Sequence, residues 1–485
     1  MNPVYVTFAL YLVLMIIVGA LCCRKSNATI DDYLLGGRGL GSWVTAFSAQ
    51  ASDMSGWLLM GLPGAIYVAG SGDMWVAIGL LIGTVVNWLI VAPRLRLYTE
   101  KNKALTLSSF FAERFRDPSG LLRIVSAIVV VVFFSIYAGS GLVATGKLFN
   151  SMFGMSYKTA VVIGAVVLLA YTLLGGYLAV CWTDLFQGAL MFIALIAVPL
   201  TAVFVKPEVM DLSKAGGISL FPGGFSTTTL VAAVSGAVWG LGYFGQPHIL
   251  SRFMSIKSVK LLPRATVIAS IWVVISLAAA VFIGLIGRTM FTGLAAGESE
   301  KVFIKMIDAV CWPWLGGLFL AAILAAIMST IDSQLLVLSS TLTSDFYSRY
   351  LRKEASAGEL VWISRIFVAL ITVVACIMAL APSKTIFDIV KFAWGGFGAA
   401  FGPVVLMALY SRRTTWVSAL AGMVTGTVVM MVWYMMGWNS FMYEILPGFI
   451  ANFIAIDLVN IFVKQTNAEI TGEFDSVKAE LNSKE

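Results

Sequence analysis

The feature that most constrains this chain is a succession of apolar runs, nearly all long enough to cross a bilayer. A spanning helix needs about 20 such residues. The runs fall at 3–23, 42–67, 74–93, 123–148, 157–179, 183–205, 228–250, 265–287, 311–342, 361–381, 385–410, 415–436 and 441–463. They are continuous, with no alternation of apolar and polar residues, so they predict helices and not a β-barrel. Only 12% of the 485 residues are charged, against about 25% in a soluble domain. An all-α integral membrane protein with thirteen transmembrane helices is expected. Run 3–23 lacks a basic stretch before it and a small-x-small cleavage site, so it is read as a helix and not as a leader.

The net charge of +7 is no sign of nucleic-acid binding, because the basic residues are confined to particular loops. Cytoplasmic loops carry an excess of Lys and Arg. With these boundaries one side takes 23 of the 32, among them Arg24, Lys25, Arg38, Arg96, Arg114, Arg116, Arg252, Arg412 and Lys484. The other side keeps nine, including Lys147, Lys214 and Lys391. This places the N-terminus outside and the C-terminus inside. Loop 95–122 has a helix start at Thr106, and the polar tail after Lys464 reads as mostly disordered. The five cysteines, Cys22, Cys23, Cys181, Cys311 and Cys376, sit in or beside apolar runs without metal-ligand spacing.

Two of the runs are interrupted. In the second, SAQASDMSGWLLMGLPG puts Gln50, Ser52, Asp53 and Ser55 at mid-membrane depth, followed by Gly56. A carboxylate there costs about 2.5 to 3.5 kcal/mol on insertion scales. Unpaired backbone at that depth persists only where it is buried in protein or lines a polar cavity. An unwound turn over 51–56 is predicted. Five runs later, LVAAVSGAVWGLGYFGQPHIL holds Gly236, Gly240, Gly242 and Gly245 and then Pro247. Glycine loosens a helix, and proline removes a donor and clashes one turn back. Trp239, Tyr243 and Gln246 share a face there. Interrupted spans at matching places in two halves point to an inverted-repeat transporter. Residues 42–205 and 228–410 would be the repeats, joined by an outer linker at 206–227. Residues 1–41 would form a first peripheral helix with its linker, 411–463 two more peripheral helices, and 464–485 a tail.

Such breaks offer amide groups to a carboxylate and carbonyl oxygens to a hard cation. Trp57, Tyr137, Trp239, Tyr243, Trp394 and Phe397 can cover the apolar body of a small substrate. A second helix must add oxygens to the cation site, and AAILAAIMST supplies Ser329 and Thr330 with the Ala326 carbonyl one turn earlier. Hydroxyls on a helix also bond back to their own chain, which is the plain alternative. Asp332 faces an inner vestibule or pairs with a cation. Asp184 either caps the sixth helix or is a polar step on the ion's inward path. His248 is the only histidine, so it builds neither a metal site nor a catalytic set, and it is read as structural.

Several segments together resemble the sodium:solute symporter family, over about residues 6–462. They are DDYLLGGRGLG at Asp31, ASDMSGWLLMGLPGA at Ala51, LGGYLAVCWTD at Leu174, WGLGYFGQPHILSRFM at Trp239, AAILAAIMST at Ala321 and FGAAFGPVVL at Phe397. SDMSGW with WGLGYFGQPH is similar to the branch that carries proline. The resemblance implies thirteen helices around a five-plus-five inverted-repeat core of the leucine-transporter type, in a bacterial inner membrane. It implies sodium-coupled import of L-proline by alternating access, with Na+ as the co-transported ion and membrane lipid as the surroundings.

By the same resemblance, sodium ligands would be the carbonyls of Ala51, Met54 and Ala326 and the hydroxyls of Ser329 and Thr330. Asp53 matches an aspartate needed for coupling, and whether it touches the ion stays open. Proline would bind near Ser55, Gly56 and Trp57, against Trp239, Tyr243 and Pro247, with Tyr137 and Gln246 nearby. Trp394 and Phe397 would act as a gate. Two positions depart from the family pattern. Asp332 stands where an uncharged residue is expected, which implies altered ion coupling or an altered pH response. Gly395-Gly396 stands where alanines are expected, which implies a changed cavity volume. The alternative transport reading is a sodium- or proton-coupled carrier of another amino acid or a betaine. A membrane enzyme would need a convergent His/Asp/Glu set, which the sequence does not offer.

Overall fold

A computed structural model describes residues 3–23, 30–173 and 176–482. Arg24, Lys25, Leu174, Gly175 and Lys484 lie outside the described residues, as do the side chains of Cys22, Cys23 and Lys214. The chain is helical throughout the described residues, and its one β-type contact is a single parallel bridge between Leu40 and Ile256.

The helices run α1 (Pro3–Cys23), α2 (Ser42–Asp53), α3 (Leu62–Ala69), α4 (Met74–Val86), α5 (Ala92–Lys101), α6 (Leu107–Arg114), α7 (Leu121–Phe153), α8 (Tyr157–Thr172) and α9 (Tyr177–Val205). After a loop come α10 (Thr227–Ala237), α11 (Pro247–Ser255), α12 (Leu262–Met290), α13 (Val302–Val310) and α14 (Pro313–Ser340). The chain ends with α15 (Ala357–Ala379), α16 (Ile386–Tyr410), α17 (Trp416–Met435), α18 (Ile445–Phe462) and α19 (Ala468–Asn482). Ten helical segments of the described residues are long and apolar enough to cross a membrane. The apolar parts of α1 and α8 are shorter, at 3–18 and 157–170.

Burial separates centre from rim. In the most apolar stretches of α14 and α16, 83% of residues are buried, against 33% in α15 and α17 and 28% in α18. The broken segment α2–α3 is packed among α9, α11, α12 and α14. The second broken segment is packed among α4, α16 and α18. Backbone meets backbone where α4 crosses it: a methyl group added at Gly79 or Gly83 would collide with the main chain of Ala237 or Gly240.

Two wide helical turns, Trp57–Gly61 and Asn87–Val91, precede Pro63 and Pro93. In each the amide reaches back five residues, Leu62 to Trp57 and Ala92 to Asn87. A proline ring collides with the carbonyl four residues earlier, and a wide turn relieves that collision without ending the helix.

The start of α6 is as expected: Thr106 Oγ1 accepts from the Ser109 amide at 2.9 Å, and Ser109 Oγ accepts from the Thr106 amide at 3.0 Å. Within the described residues the tail is not disordered. It forms α19, whose acidic residues lie on the basic end of the molecule. Arg116 pairs with Glu469 at 3.3 Å and Glu473 at 3.4 Å, Lys101 with Glu480 at 3.2 Å, and Arg412 with Asp475 at 2.8 Å. Three arginines counted as loop charges are in fact folded in. Arg96, Arg114 and Arg252 are 2%, 0% and 0% exposed, and their guanidinium groups donate to the carbonyls of Ile256, Ala408 and His248.

Candidate functional site

α2 stops at Asp53 because Met54 turns out of the helix, with φ −89° and ψ 81°. Helical geometry resumes at Gly56. A methyl group there would stand 2.9 Å from Ala144 Cβ, so glycine lets the restarted helix lie against α7. The break is stitched locally. Ser55 N donates to Asp53 O at 3.1 Å, and Trp57 Nε1 donates to the same carbonyl at 3.0 Å. Tyr137 of α7 adds its hydroxyl to that carbonyl at 3.3 Å.

α10 tightens over Val238–Gly245, opens at the extended Gln246, and restarts at Pro247 as the first turn of α11. Proline suits that position because its missing donor is one the helix cannot use. The two breaks meet. Tyr243 donates its hydroxyl to Asp53 Oδ2 at 2.6 Å, while Asp53 Oδ1 is buried with no hydrogen-bond partner among the described residues. The Asp53 carboxylate thus turns toward the second broken segment.

The hydroxyls of α14 converge on the first break. Ser329 Oγ donates to Ala51 O at 2.8 Å and Thr330 Oγ1 at 3.2 Å, and each also lies 3.2 Å from Ala326 O. Four of the five expected ion ligands therefore form one cluster of oxygens, two carbonyl and two hydroxyl. All four residues are at most 1% exposed. Hard monovalent and divalent cations favour such all-oxygen sets. Met54 follows three residues after Ala51, and its carbonyl bonds neither hydroxyl.

One turn toward the basic end lies a second polar group. Asp184 is the eighth residue of α9 and not its cap, which corrects that alternative. Its Oδ2 accepts from Ser48 Oγ at 2.6 Å and from Arg252 Nη2 at 3.2 Å. Arg252 also donates to Ser48 Oγ at 3.0 Å and to Ser333 Oγ, and lies over the Tyr177 ring at 5.2 Å. Ser48 precedes Ala51 by three residues and Ser333 follows Thr330 by three, so this ion pair lies one helical turn from the oxygen cluster. Asp332 is fully buried and lies close to Tyr11 of α1.

The candidate substrate residues form an aromatic wall. Trp57 and Trp239 have ring centroids 6.2 Å apart, and Tyr243 meets Trp394 edge-on at 5.0 Å. Trp394 Nε1 donates to Trp239 O at 2.8 Å. Gln246 Nε2 donates to Gly242 O and Trp394 O, each at 3.2 Å, and Gln246 Oε1 has no partner among the described residues. Phe397 packs at a tilt against Phe134, with ring centroids 4.5 Å apart. His248 packs edge-on against Phe134 and Tyr137, and both its nitrogens lack partners among the described residues. The site is closed, since Ser55, Trp57, Tyr137, Trp239, Tyr243, Gln246, Trp394 and Phe397 are all buried.

Gly395 and Gly396 do not widen this space. A methyl group at Gly396 would collide with the Phe133 ring, and one at Gly395 would stand 3.1 Å from Tyr443 Oη. Neighbouring aromatic rings fill the volume that the glycines vacate. Sequence reasoning missed Ser48, Arg252, Ser333 and Phe134. Arg252 carried a signal: it follows His248 by four residues in one apolar helix. Its partner Asp184 lies 68 positions away, so the pairing was invisible along the chain.

Comparison with known proteins agrees with this architecture. The model of the sodium:solute symporter family matches residues 33–426. The chain is 45% identical to the sodium/proline symporter of Escherichia coli (strain K12), covering 99% of this chain and 97% of that one. It is 44% identical to the high-affinity proline transporter PutP of Bacillus subtilis (strain 168), covering 95% and 98%. Among solved structures, a Na+-coupled sialic acid symporter in a substrate-bound outward-open state superposes with a TM-score of 0.79 at 18% identity, over 96% of this chain and 100% of that one. That likeness establishes a shared fold.

Proposed function

The chain belongs to the sodium:solute symporter family, and from that premise we propose that it imports L-proline with sodium across the bacterial inner membrane by alternating access. It is a multi-span membrane transporter and not an enzyme, and Na+ is its co-transported ion. Our reading has thirteen transmembrane helices, with inverted repeats over 42–205 and 228–410. The N-terminus lies outside and the basic end inside. The single observation that carries the site assignment is the meeting of Ser329 and Thr330 with the Ala51 carbonyl at the break in α2.

Sodium would replace the hydroxyl protons as the partner of the Ala51 and Ala326 carbonyls, with Met54 O as a fifth ligand. The two hydroxyls would then turn their lone pairs to the ion. Asp53 would act beside the ion, holding Tyr243 so that the second break keeps its shape. Proline would lie between the breaks. Its carboxylate would take the free amides at the start of α11 and near Gly56, and its ring would take Trp57, Trp239 and Tyr243. Trp394, Phe397 and Gln246 would close over it. The Asp184–Arg252 pair would seal the inner side until the carrier turns inward, and Asp332 would tune the ion's exit.

The energetics are sufficient. One charge moved through 100 mV is worth about 2.3 kcal/mol, and a tenfold sodium gradient adds about 1.4 kcal/mol. Together they sustain roughly a few-hundred-fold accumulation at one-to-one coupling.

The test is uptake of labelled proline by proteoliposomes under an imposed sodium gradient. Uptake should need sodium and fall when unlabelled proline competes. Uptake driven equally by a proton gradient without sodium, or competed equally by a betaine, would refute the assignment.

A further inference from the structure

At the basic end, away from the transport site, a cavity of about 590 Å³ lies beside the end of the long α14 segment and the start of α7. Its lining is Arg123, Ser344, Ser348, Arg349, Tyr350 and Lys353, with three positive charges and no carboxylate. Arg123 is 7% exposed and bonds Glu113 at 3.0 Å and Asp345 at 3.5 Å. Its buried Nε has no partner among the described residues. Arg349 and Lys353 are exposed, and neither joins an ion pair within 4 Å among the described residues.

The local backbone explains the grouping. Over Thr341–Leu351 the α14 helix continues in a wide winding, and Arg352 N still reaches Tyr347 O five residues back. A turn wider than 3.6 residues brings side chains four and five apart onto one line. Ser344, Ser348 and Arg349 have that spacing. The neighbourhood is also apolar toward the outside: Leu121, Phe346, Tyr350 and Leu351 are all exposed, and the Phe346 and Tyr350 rings lie 6.0 Å apart.

We propose that this cavity binds the phosphate oxyanion of an anionic phospholipid headgroup. Arg349 and Lys353 neutralise the phosphate, the Ser348 hydroxyl and Arg123 Nε donate to its oxygens, and the acyl chains lie along Leu121, Phe346 and Leu351. Guanidinium groups match phosphate oxygens in pairs, which favours Arg here over a point charge alone. A free phosphate ion offers the same oxyanion chemistry but makes no use of the apolar rim.

The experiment titrates purified full-length protein in neutral detergent with short-chain phosphatidylglycerol, short-chain phosphatidylcholine and inorganic phosphate, reading bound lipid by native mass spectrometry. Phosphatidylglycerol should bind and phosphatidylcholine should not. Arg349→Gln with Lys353→Gln should weaken phosphatidylglycerol about 25-fold, since each basic group near an anionic surface contributes about fivefold. The exposed pair Lys260→Gln with Arg264→Gln removes the same charge elsewhere and should change nothing. Sodium-driven proline uptake verifies that each variant is folded. The conservative Arg349→Lys should keep at least part of the binding and serves if the double variant fails to fold. Unchanged lipid binding in the cavity variant, or equal loss in the Lys260/Arg264 variant, would overturn the proposal. Displacement of the lipid by equimolar inorganic phosphate would overturn its lipid part.

Discussion

At the scale of single residues, the Asp53 carboxylate is the group with most at stake. One of its oxygens is held by Tyr243 and the other by no group among the described residues, in the middle of a buried site. A hydrogen bond to a charged group is worth about 1.5 to 3 kcal/mol. Tyr243→Phe should therefore raise the sodium and proline concentrations for half-maximal uptake, on the order of ten- to a hundredfold. Asp53→Asn should abolish sodium stimulation while the protein still inserts; a normal sodium response in that variant would remove Asp53 from the coupling. Ser329→Ala with Thr330→Ala should raise the sodium requirement at least about tenfold, as each lost ligand removes an oxygen the ion cannot recover from water. Thr201→Ala is the control, because that hydroxyl only bonds Ala197 O of its own helix at 2.8 Å.

At the scale of elements, α2, α9, α11 and α14 are tied together by Arg252 in its bonds to Ser48, Asp184 and Ser333. Breaking a buried ion pair from one side costs about 3 to 5 kcal/mol, because the remaining charge has no compensation. Arg252→Ala should loosen the ends of these helices that lie toward the basic end of the molecule. The native reporter is Cys181, which is fully buried three residues before Asp184. Its alkylation in inside-out vesicles, followed by peptide mass spectrometry, should rise in Arg252→Ala and fall back in Arg252→Ala with Asp184→Ala. Equal protection in all three would show that the Asp184–Arg252 pair does not close this end of the molecule. α19 is a different kind of attachment. Its ion pairs are largely exposed, and such pairs are weak and screened by salt. Cleavage of the 463–467 connection by an added protease should rise as salt goes from about 0.05 to 1 M. Burial holds the Glu473 carboxyl above its usual range even beside Arg114 and Arg116, so this residue is the least exposed anchor of the four pairs.

At the scale of the whole molecule, both broken segments were legible in the sequence. Asp53 beside Gly56, and four glycines before Pro247, announce backbone that no lipid-facing helix tolerates. What the sequence hid were relations between distant positions. Counting basic residues into loops put Arg252 at the surface, although its carboxylate partner lies in another helix. Composition marked residues 468–482 as disordered, because a polar stretch gives no hint of the Arg116, Lys101 and Arg412 that receive it. Gly395 and Gly396 implied a changed cavity volume, and only the fold reveals Phe133 and Tyr443 occupying that space.

If the ion orders one break and the substrate spans both, as proposed, the two ligands should also stabilise the carrier jointly. Saturating ligand at about 100 times its Kd adds about 2.7 kcal/mol. Sodium with proline should raise the midpoint of thermal unfolding by more than the sum of the two separate shifts. Strictly additive shifts would mean that the ion does not prepare the amino-acid site.

The contact between α4 and the tight turn over Val238–Gly245 bears on how such a machine turns. Gly79 and Gly83 face Ala237 and Gly240 with almost nothing projecting from either surface. Interdigitated side chains act as teeth that lock two rods in register, and at these four positions nothing larger than a methyl group projects. Rolling or sliding at these positions disengages no knobs from holes, so the joint is smooth there. A bulky graft at Gly83 would jam the bearing without touching either cargo.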